Sequence, residues 1–190
     1  MDSYFKKEIT YPFKGINLTF DVANELFSTF AIDHGTDMLL RHIVLKNPKT
    51  ILDLGCGYGP IGITLAKTNP NSQITMVDTD LLAIKYANNN IRKNNVSNAK
   101  ALGSVGVENL ENEKFDLVVS NIPAKIGDKA IIEELILKPY KLLNENGEYW
   151  IVIVNALNRL IPIIKQRHNL KFEFVRKRSG HFLYKIKKNN

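Results

Sequence analysis

Four glycines, Gly55, Gly57, Gly59 and Gly62, follow directly on the apolar run Ile51, Leu52 and Leu54, and they constrain the fold more than any other feature of the chain. The pattern is strand-like up to Leu54 and helical from Pro60 onward. A buried strand must therefore turn into a helix within a few residues. Glycines permit such a turn and bring bare backbone N–H groups close to a ligand. Pro60 suits the first turn of the helix, where its missing N–H costs nothing.

Two ligand classes use a turn of this kind. Dinucleotides place a pyrophosphate on the helix N-terminus, while S-adenosyl-L-methionine places its amino-acid end against the loop. The spacing Gly57-x-Gly59-x-x-Gly62 satisfies the dinucleotide fingerprint, so spacing alone does not separate them. Asp53 does more. A carboxylate two residues before the first glycine would repel a pyrophosphate and suits a cation, such as the ammonium of a bound methionine moiety, held directly or through water.

Strands are predicted at 50–54, 73–78, 98–102, 115–120 and 147–154, with helices at 59–68, 80–93, 127–142 and 155–166 between or after them. A further helix begins near Thr36, with Asp33, Gly35 or Thr36 to cap it. Two last strands, 171–177 and 181–187, are joined by Arg178-Ser-Gly-His and must form a hairpin. The predicted class is α/β: a Rossmann-like, doubly wound, seven-stranded and mostly parallel sheet in three α/β/α layers, with a C-terminal antiparallel hairpin. We read residues 1–190 as one domain, with a hairpin-like or irregular layer over 1–33 and the cofactor-binding core over 34–190. Ile16–Phe20 reads as a strand of that layer. Asn88-Asn89-Asn90 is expected to face solvent. Phe172, Phe174, Phe182 and Tyr184 are expected in the core rather than on a base-stacking platform.

In an open parallel sheet the ligand lies beyond the carboxyl ends of the strands. The second strand ends at Asp78, whose carboxylate can accept both hydroxyls of a ribose; Asp80 is expected to cap the next helix. The third ends at Ser104, which can meet an adenine edge, although turn formation explains Gly103-Ser104 nearly as well. The fourth ends Ser120-Asn121-Ile122-Pro123-Ala124. Asn121 offers a side-chain carbonyl, and Ile122 a main-chain carbonyl whose direction Pro123 helps to fix. Two such acceptors would hold an exocyclic NH2 group. Hydrogen bonds to both its protons favour the pyramidal geometry in which the nitrogen lone pair can attack a methyl group, so positioning can carry most of the catalysis.

Charge is unevenly spread. Nine lysines and arginines between Lys165 and Lys188 face one acid, Glu173, so this segment carries more than the whole net charge of +7. A basic face suggests RNA as partner; a lysine-rich solvated surface is the other reading. The single cysteine, Cys56, excludes an internal disulfide and reads as a small filler rather than a nucleophile. The four histidines show no metal-ligand spacing, so no metal is expected. No apolar run is long enough to span a bilayer and the first residues lack a signal-peptide core, so a cytoplasmic location is expected.

Asp53-x-Gly55-x-Gly57, Asp78 and Ser120-Asn121-Ile122-Pro123 together resemble class I S-adenosylmethionine-dependent methyltransferases, on the branch whose Asn-Pro-Pro-aromatic signature marks amino-group methylators. Phe27-Ser28 followed by Ile32-Asp33-x-Gly35-Thr36-x-x-Leu39-Leu40 resembles the segment before the glycine loop in the methyltransferase small domain family, which includes ribosomal RNA guanine-N2 methyltransferases. The resemblance implies S-adenosyl-L-methionine as cofactor and guanine N2 of ribosomal or transfer RNA as target. A protein glutamine amide, a small molecule, and a non-catalytic RNA-binding role are the alternatives. By the same resemblance Gly35 and Thr36 lie near the cofactor. Asp53, Gly55, Gly57 and Gly59 hold its methionine part, Asp78 its ribose and Ser104 its adenine, while Asn121 binds the target amine. Two positions depart from the signature. Ile122 replaces its first proline, and Ala124 replaces the aromatic that would stack on a base, a contact worth about 1–3 kcal/mol. Phe27, Phe30 and Tyr58 are candidates to supply that stacking. The larger relatives carry an extra N-terminal domain, for which the basic tail or a partner is expected to substitute.

Overall fold

Near the N-terminus, β1 (Phe5–Phe13) and β2 (Ile16–Ala23) pair antiparallel as a hairpin separate from the main sheet. Lys14 and Gly15 both have positive φ, the geometry of a two-residue turn whose twist matches that of its strands. Alternation then buries Ile9, Tyr11 and Phe13 on one strand and Leu18, Phe20 and Val22 on the other. This computed structural model describes residues 3–24, 26 and 31–188. Phe27, Ser28 and Phe30, singled out above, lie outside the described residues.

The second sheet has seven strands: β3 (Thr50–Leu54), β4 (Gln73–Asp78), β5 (Ala99–Gly103), β6 (Phe115–Asn121), β7 (Leu143–Val154), β8 (Phe172–Arg178) and β9 (His181–Lys187). Their order is β5-β4-β3-β6-β7-β9-β8. The first five run parallel, and β9 and β8 close the sheet as an antiparallel hairpin, as the sequence predicts. One face carries the N-terminal hairpin with α1 (His34–His42), α2 (Pro60–Thr68) and α3 (Leu81–Lys93). The other carries α4 (Asp128–Ile132), α5 (Lys138–Lys141) and α6 (Leu160–His168). Strand order reverses beside β3, so the carboxyl ends of β3 and β6 border a natural crevice.

Three elements depart from the sequence-based expectation. The helix predicted over 127–142 is broken by a π-helical turn at Glu133–Leu137. Pro139 has no N–H to give to the Leu135 carbonyl, and the buried Tyr149 hydroxyl donates to that carbonyl instead. The helix predicted over 155–166 becomes a 3-10 turn, Asn155–Leu157, before α6. Strand β7 begins at Leu143, earlier than 147, through an irregularity at Asn146-Gly147. A Cβ on Gly147 would lie 2.9 Å from the Asn144 carbonyl oxygen, so glycine is required at that close approach.

Asn90 corrects a further expectation. It is fully buried, not solvent-facing. Its Oδ1 accepts from the Asp21 N–H (2.8 Å), and its Nδ2 donates to the carbonyls of Asp21 (3.0 Å) and Tyr58 (2.9 Å). One turn on, Asn94 brackets Thr19 in the same way. Each amide acts as a fragment of strand backbone, satisfying the edge of β2 and fastening the hairpin to α3. The Tyr58 bond extends this clamp to the glycine loop. Asn90→Ala would remove the side-chain partner of the Asp21 N–H and C=O groups and one hydrogen bond to the Tyr58 carbonyl. We expect it to lower unfolding free energy by about 2–4 kcal/mol in urea titrations, whereas Asn89→Ala stays within about 0.5 kcal/mol; equal, small effects would refute the clamp.

Candidate functional site

A cavity of about 530 Å³ opens beyond the carboxyl ends of β3, β4 and β6. The glycine loop (55–58), Asp78 and Ser104 bound one side; Asn121, Ile122, Pro123 and Ala124 bound another. Thr36 and Asp33, at the start of α1, and His181, at the start of β9, also line it. The site therefore draws on residues far apart in sequence. A second hollow of about 380 Å³ lies at the opposite ends of β6 and β7. Two of its acids are already engaged: Asp116 accepts from the backbone of Lys49 and Thr50, and Glu148 accepts from Trp150 and Lys46.

The loop does not present bare N–H groups as its glycines suggested. The N–H groups of Gly55 and Cys56 both donate to the Val77 carbonyl, and that of Gly59 donates to Cys56. Gly57 N–H donates to Asp78 Oδ2 at 2.8 Å, and Gly62 N–H donates to Asp53 Oδ2 at 2.7 Å. These donors are spent within the protein, so the turn is no anion-binding nest. Positive φ at Gly55, Gly57 and Gly59 explains the residue type, and a Cβ on Gly55 or Gly57 would project into open space. Gly59 is different. It caps α2, and a Cβ there would lie 2.7 Å from the Ile63 side chain, so it serves packing and does not line the cavity.

Asp53 sits behind the loop, wholly buried, and does not line the cavity. Its Oδ1 has no hydrogen-bond partner among the described residues. Burial pushes its carboxyl up to about 7, against the opposing effect of the Gly62 N–H and with a smaller push from Asp78. Asp78 faces the cavity; its Oδ1 accepts from Asp80 N–H at 3.0 Å, and Asp80 caps α3 as expected. Each Asp78 oxygen keeps a lone pair for a ligand. Ser104 has spent its N–H on the Asp78 carbonyl, which leaves its hydroxyl proton for the cavity. Cys56 is buried, and burial holds its thiol well above the ordinary range, which fits a filler.

Around Asn121 the arrangement is denser. Its Nδ2 donates to Asp33 Oδ2 at 2.7 Å and to Thr36 Oγ1 at 3.2 Å. The same Asp33 oxygen caps α1, accepting from Gly35 N–H (2.8 Å) and Thr36 N–H (3.2 Å). Gly35 is needed for this closeness: a Cβ there would lie 2.7 Å from Val152, 2.9 Å from Asp33 Oδ2 and 3.0 Å from His181. Gly35 does not itself line the cavity. Ile122 donates its N–H to the Val152 carbonyl and buries its side chain in the core. Ser120 is buried too, its hydroxyl donating to the Leu54 carbonyl.

Sequence reasoning missed Asp33 and His181 as cavity residues, along with Glu134 and the apolar wall of Val105, Ile126 and Leu135. Glu134 and Leu135 lie in the π turn, which nothing in the local spacing signals. Among the described residues, the carboxylate and basic side chains lining the cavity are Asp33, Asp78 and Glu134, with no lysine or arginine. Glu134 is paired with Lys138 at 2.6 Å.

The basic segment is not one face. Strand β9 begins at His181 on the cavity rim and ends at the far side of the sheet, where Lys188 Nζ donates to the carbonyls of Lys141 and Leu143. Arg176, Lys177 and Arg178 are exposed at the rim end. Beside them, Phe174 departs from the expected core placement, being 56% exposed on the edge strand. It packs edge-on against Tyr184, and Lys177 Nζ lies 4.8 Å from the Phe182 ring centre. Among the described residues, no helix is long and apolar enough to cross a membrane, and no cluster of three or more His, Cys, Asp or Glu side chains could hold a metal ion.

The methyltransferase small domain family matches residues 17–185 of the chain. Ribosomal RNA small subunit methyltransferase C of Haemophilus influenzae (strain PittEE) is 37% identical over 156 residues, which make up 80% of this chain and 46% of that relative. An uncharacterized protein of Bacillus subtilis (strain 168), YbxB, is 29% identical over 188 residues, 96% of this chain and 92% of the relative. A T. thermophilus 16S rRNA N2 methyltransferase, solved in complex with AdoMet and guanosine, superposes with a TM-score of 0.84 at 22% identity, over 98% of this chain and 51% of that one. A methyltransferase from Pyrococcus furiosus gives 0.72 at 19% identity, over 91% and 90%. The chain spans about half the length of the ribosomal RNA methyltransferases it matches.

Asp53 gives this site a pH signature. Its folded-state pKa is raised, so the stability its proton confers is fully present below about pH 4 and is lost as pH rises through about 7. Between pH 5 and 8 we expect the protein to lose about 2 kcal/mol of unfolding free energy relative to Asp53→Asn, which cannot ionise there. Parallel stability curves for the two proteins would show that Asp53 does not titrate in this window.

Proposed function

We propose that this chain, which belongs to the methyltransferase small domain family, transfers a methyl group from S-adenosyl-L-methionine to an exocyclic amine of RNA, with guanine N2 of ribosomal RNA as the target. The observation that carries this reading is the cavity's chemistry. Its loop glycines have used their N–H groups internally, and among the described residues its charged lining is carboxylate without lysine or arginine. Such a site repels a pyrophosphate and suits a cationic ligand. The H. influenzae relative and the T. thermophilus structure with bound guanosine support the RNA target.

The residues fit that cofactor. Gly55 and Gly57 leave open space for its methionine part, with the Asp53 carboxyl behind them. Asp78 keeps acceptors for the ribose, the Ser104 hydroxyl meets the adenine edge, and Val105 and Ile126 supply apolar flanks. When bound, the cofactor supplies an activated methyl on a sulfonium, a good leaving group. Asn121 Oδ1 and the Ile122 carbonyl accept the two protons of the target NH2 and hold its nitrogen for attack. The amine nitrogen so held would take the methyl that the bound cofactor supplies, and one amine proton would leave to water. Pro123 holds the Ile122 carbonyl in direction. We place the RNA over the rim end of the basic segment 165–188, with exposed Phe174 offering a ring for a base, and we place the protein in the cytoplasm.

The reading is tested by incubating the protein with radiolabelled methyl donor and total RNA or total protein, followed by nucleoside analysis. Label in N2-methylguanosine is expected; label confined to protein would reverse the substrate assignment. Asn121→Ala should lower turnover by about 100-fold or more with cofactor affinity within about threefold of wild type. Asp78→Ala should weaken S-adenosylhomocysteine binding by about tenfold or more. RNA affinity should fall steeply with salt, and Arg176→Ala with Lys177→Ala should flatten the slope; an unchanged slope would move RNA off this rim.

A further inference from the structure

We infer that Asp33 is a positioning residue for methyl transfer, acting through Asn121, and not only the cap of α1. The inference rests on the transfer reading above. A carboxylate can only accept hydrogen bonds, so the group of Asn121 that faces Asp33 Oδ2 at 2.7 Å must be its NH2. The second amide proton goes to Thr36 Oγ1 at 3.2 Å. Both donors of the side chain are thereby spent, and its orientation is settled. Rotating the amide by half a turn would set its oxygen against a carboxylate oxygen.

The consequence lies on the other side of the amide. With both N–H bonds directed at Asp33 and Thr36, Asn121 Oδ1 is left as the acceptor for an incoming amine. A free asparagine at the end of β6 would present NH2 about as readily as C=O, and the NH2 orientation repels the very group to be methylated. Asp33 also places negative charge behind the amide, which polarises it and strengthens Oδ1 as an acceptor. Two features keep Asp33 in place. Its Oδ2 is held by the N–H groups of Gly35 and Thr36, and the missing side chain at Gly35 lets Val152 and His181 close over it. His181 Nε2 stands 3.9 Å from the other oxygen, Oδ1, and Arg178 reaches this helix only at Asp37, also at 3.9 Å.

A cap alone predicts a different outcome from a positioning role, because serine and asparagine cap helices as well as aspartate does. Asp33→Ser keeps the cap but is too short to hold Asn121. It should lower kcat by about tenfold or more, while KM for RNA and the Kd for S-adenosylhomocysteine change by less than about threefold. Asp33→Asn keeps an oxygen that can both cap the helix and accept from Asn121, so it should recover most of the lost kcat. A wild-type kcat in Asp33→Ser, or losses in kcat, KM, Kd and melting temperature that move together, would overturn the inference. If the wild-type protein itself transfers no methyl group to RNA, the fault lies with the proposed function instead.

Discussion

Two carboxylates pinning a glycine loop are the constraint on which the rest of this structure depends. Asp53 grips Gly62 from behind and Asp78 grips Gly57 from the next strand. Between them the chain passes from β3 to α2 with the N–H groups of Gly55, Cys56, Gly57, Gly59 and Gly62 engaged within the protein. The same glycine spacing in a dinucleotide fold leaves those groups pointing at a pyrophosphate. Here the loop is closed to anions, and the cavity it borders offers acceptors. Sequence spacing alone does not separate the two outcomes, and an acid at 78 suits the ribose of either ligand; the acid at 53 separates them.

The acceptor character continues across the cavity. Asn121, at the end of β6, lies beyond the same edge of the sheet as the glycine loop, because strand order reverses beside β3. The glycine loop and Asn121 thus border one cavity. The helix that caps on Asp33 closes one end, and the C-terminal hairpin closes it further through His181. No aromatic stands at position 124 for a target base, and Tyr58 is almost wholly buried in the hairpin layer, where it meets Phe20 edge-on. Phe174 is an exposed ring on the edge strand that also carries Arg176, Lys177 and Arg178.

Much of this was legible in the chain itself. Strand ends carry polar residues against an apolar background, so Asp78, Ser104 and Asn121 stood out, and all three line the cavity. The β-α alternation gave the seven strands, because buried parallel strands and amphipathic helices have different periods. What escaped detection shares one physical cause: contacts made across long sequence separations. Asn90 sits on a helix where periodicity alone assigns it to solvent, yet its amide completes the backbone of a strand 69 residues away. Asp33 looked like one of three candidate caps, and its bond to Asn121 spans 88 residues. The π turn that carries Glu134 coincides with Pro139 and with a tyrosine hydroxyl from the neighbouring strand on the Leu135 carbonyl, and neither is informative alone.

The account as a whole stands on the sign of the charge this cavity accepts. Titration calorimetry with S-adenosyl-L-methionine, S-adenosylhomocysteine and NAD measures that directly. Binding of the first two, with no detectable heat from NAD, is the expected result. Binding of NAD, with neither adenosyl compound taken up, would contradict it.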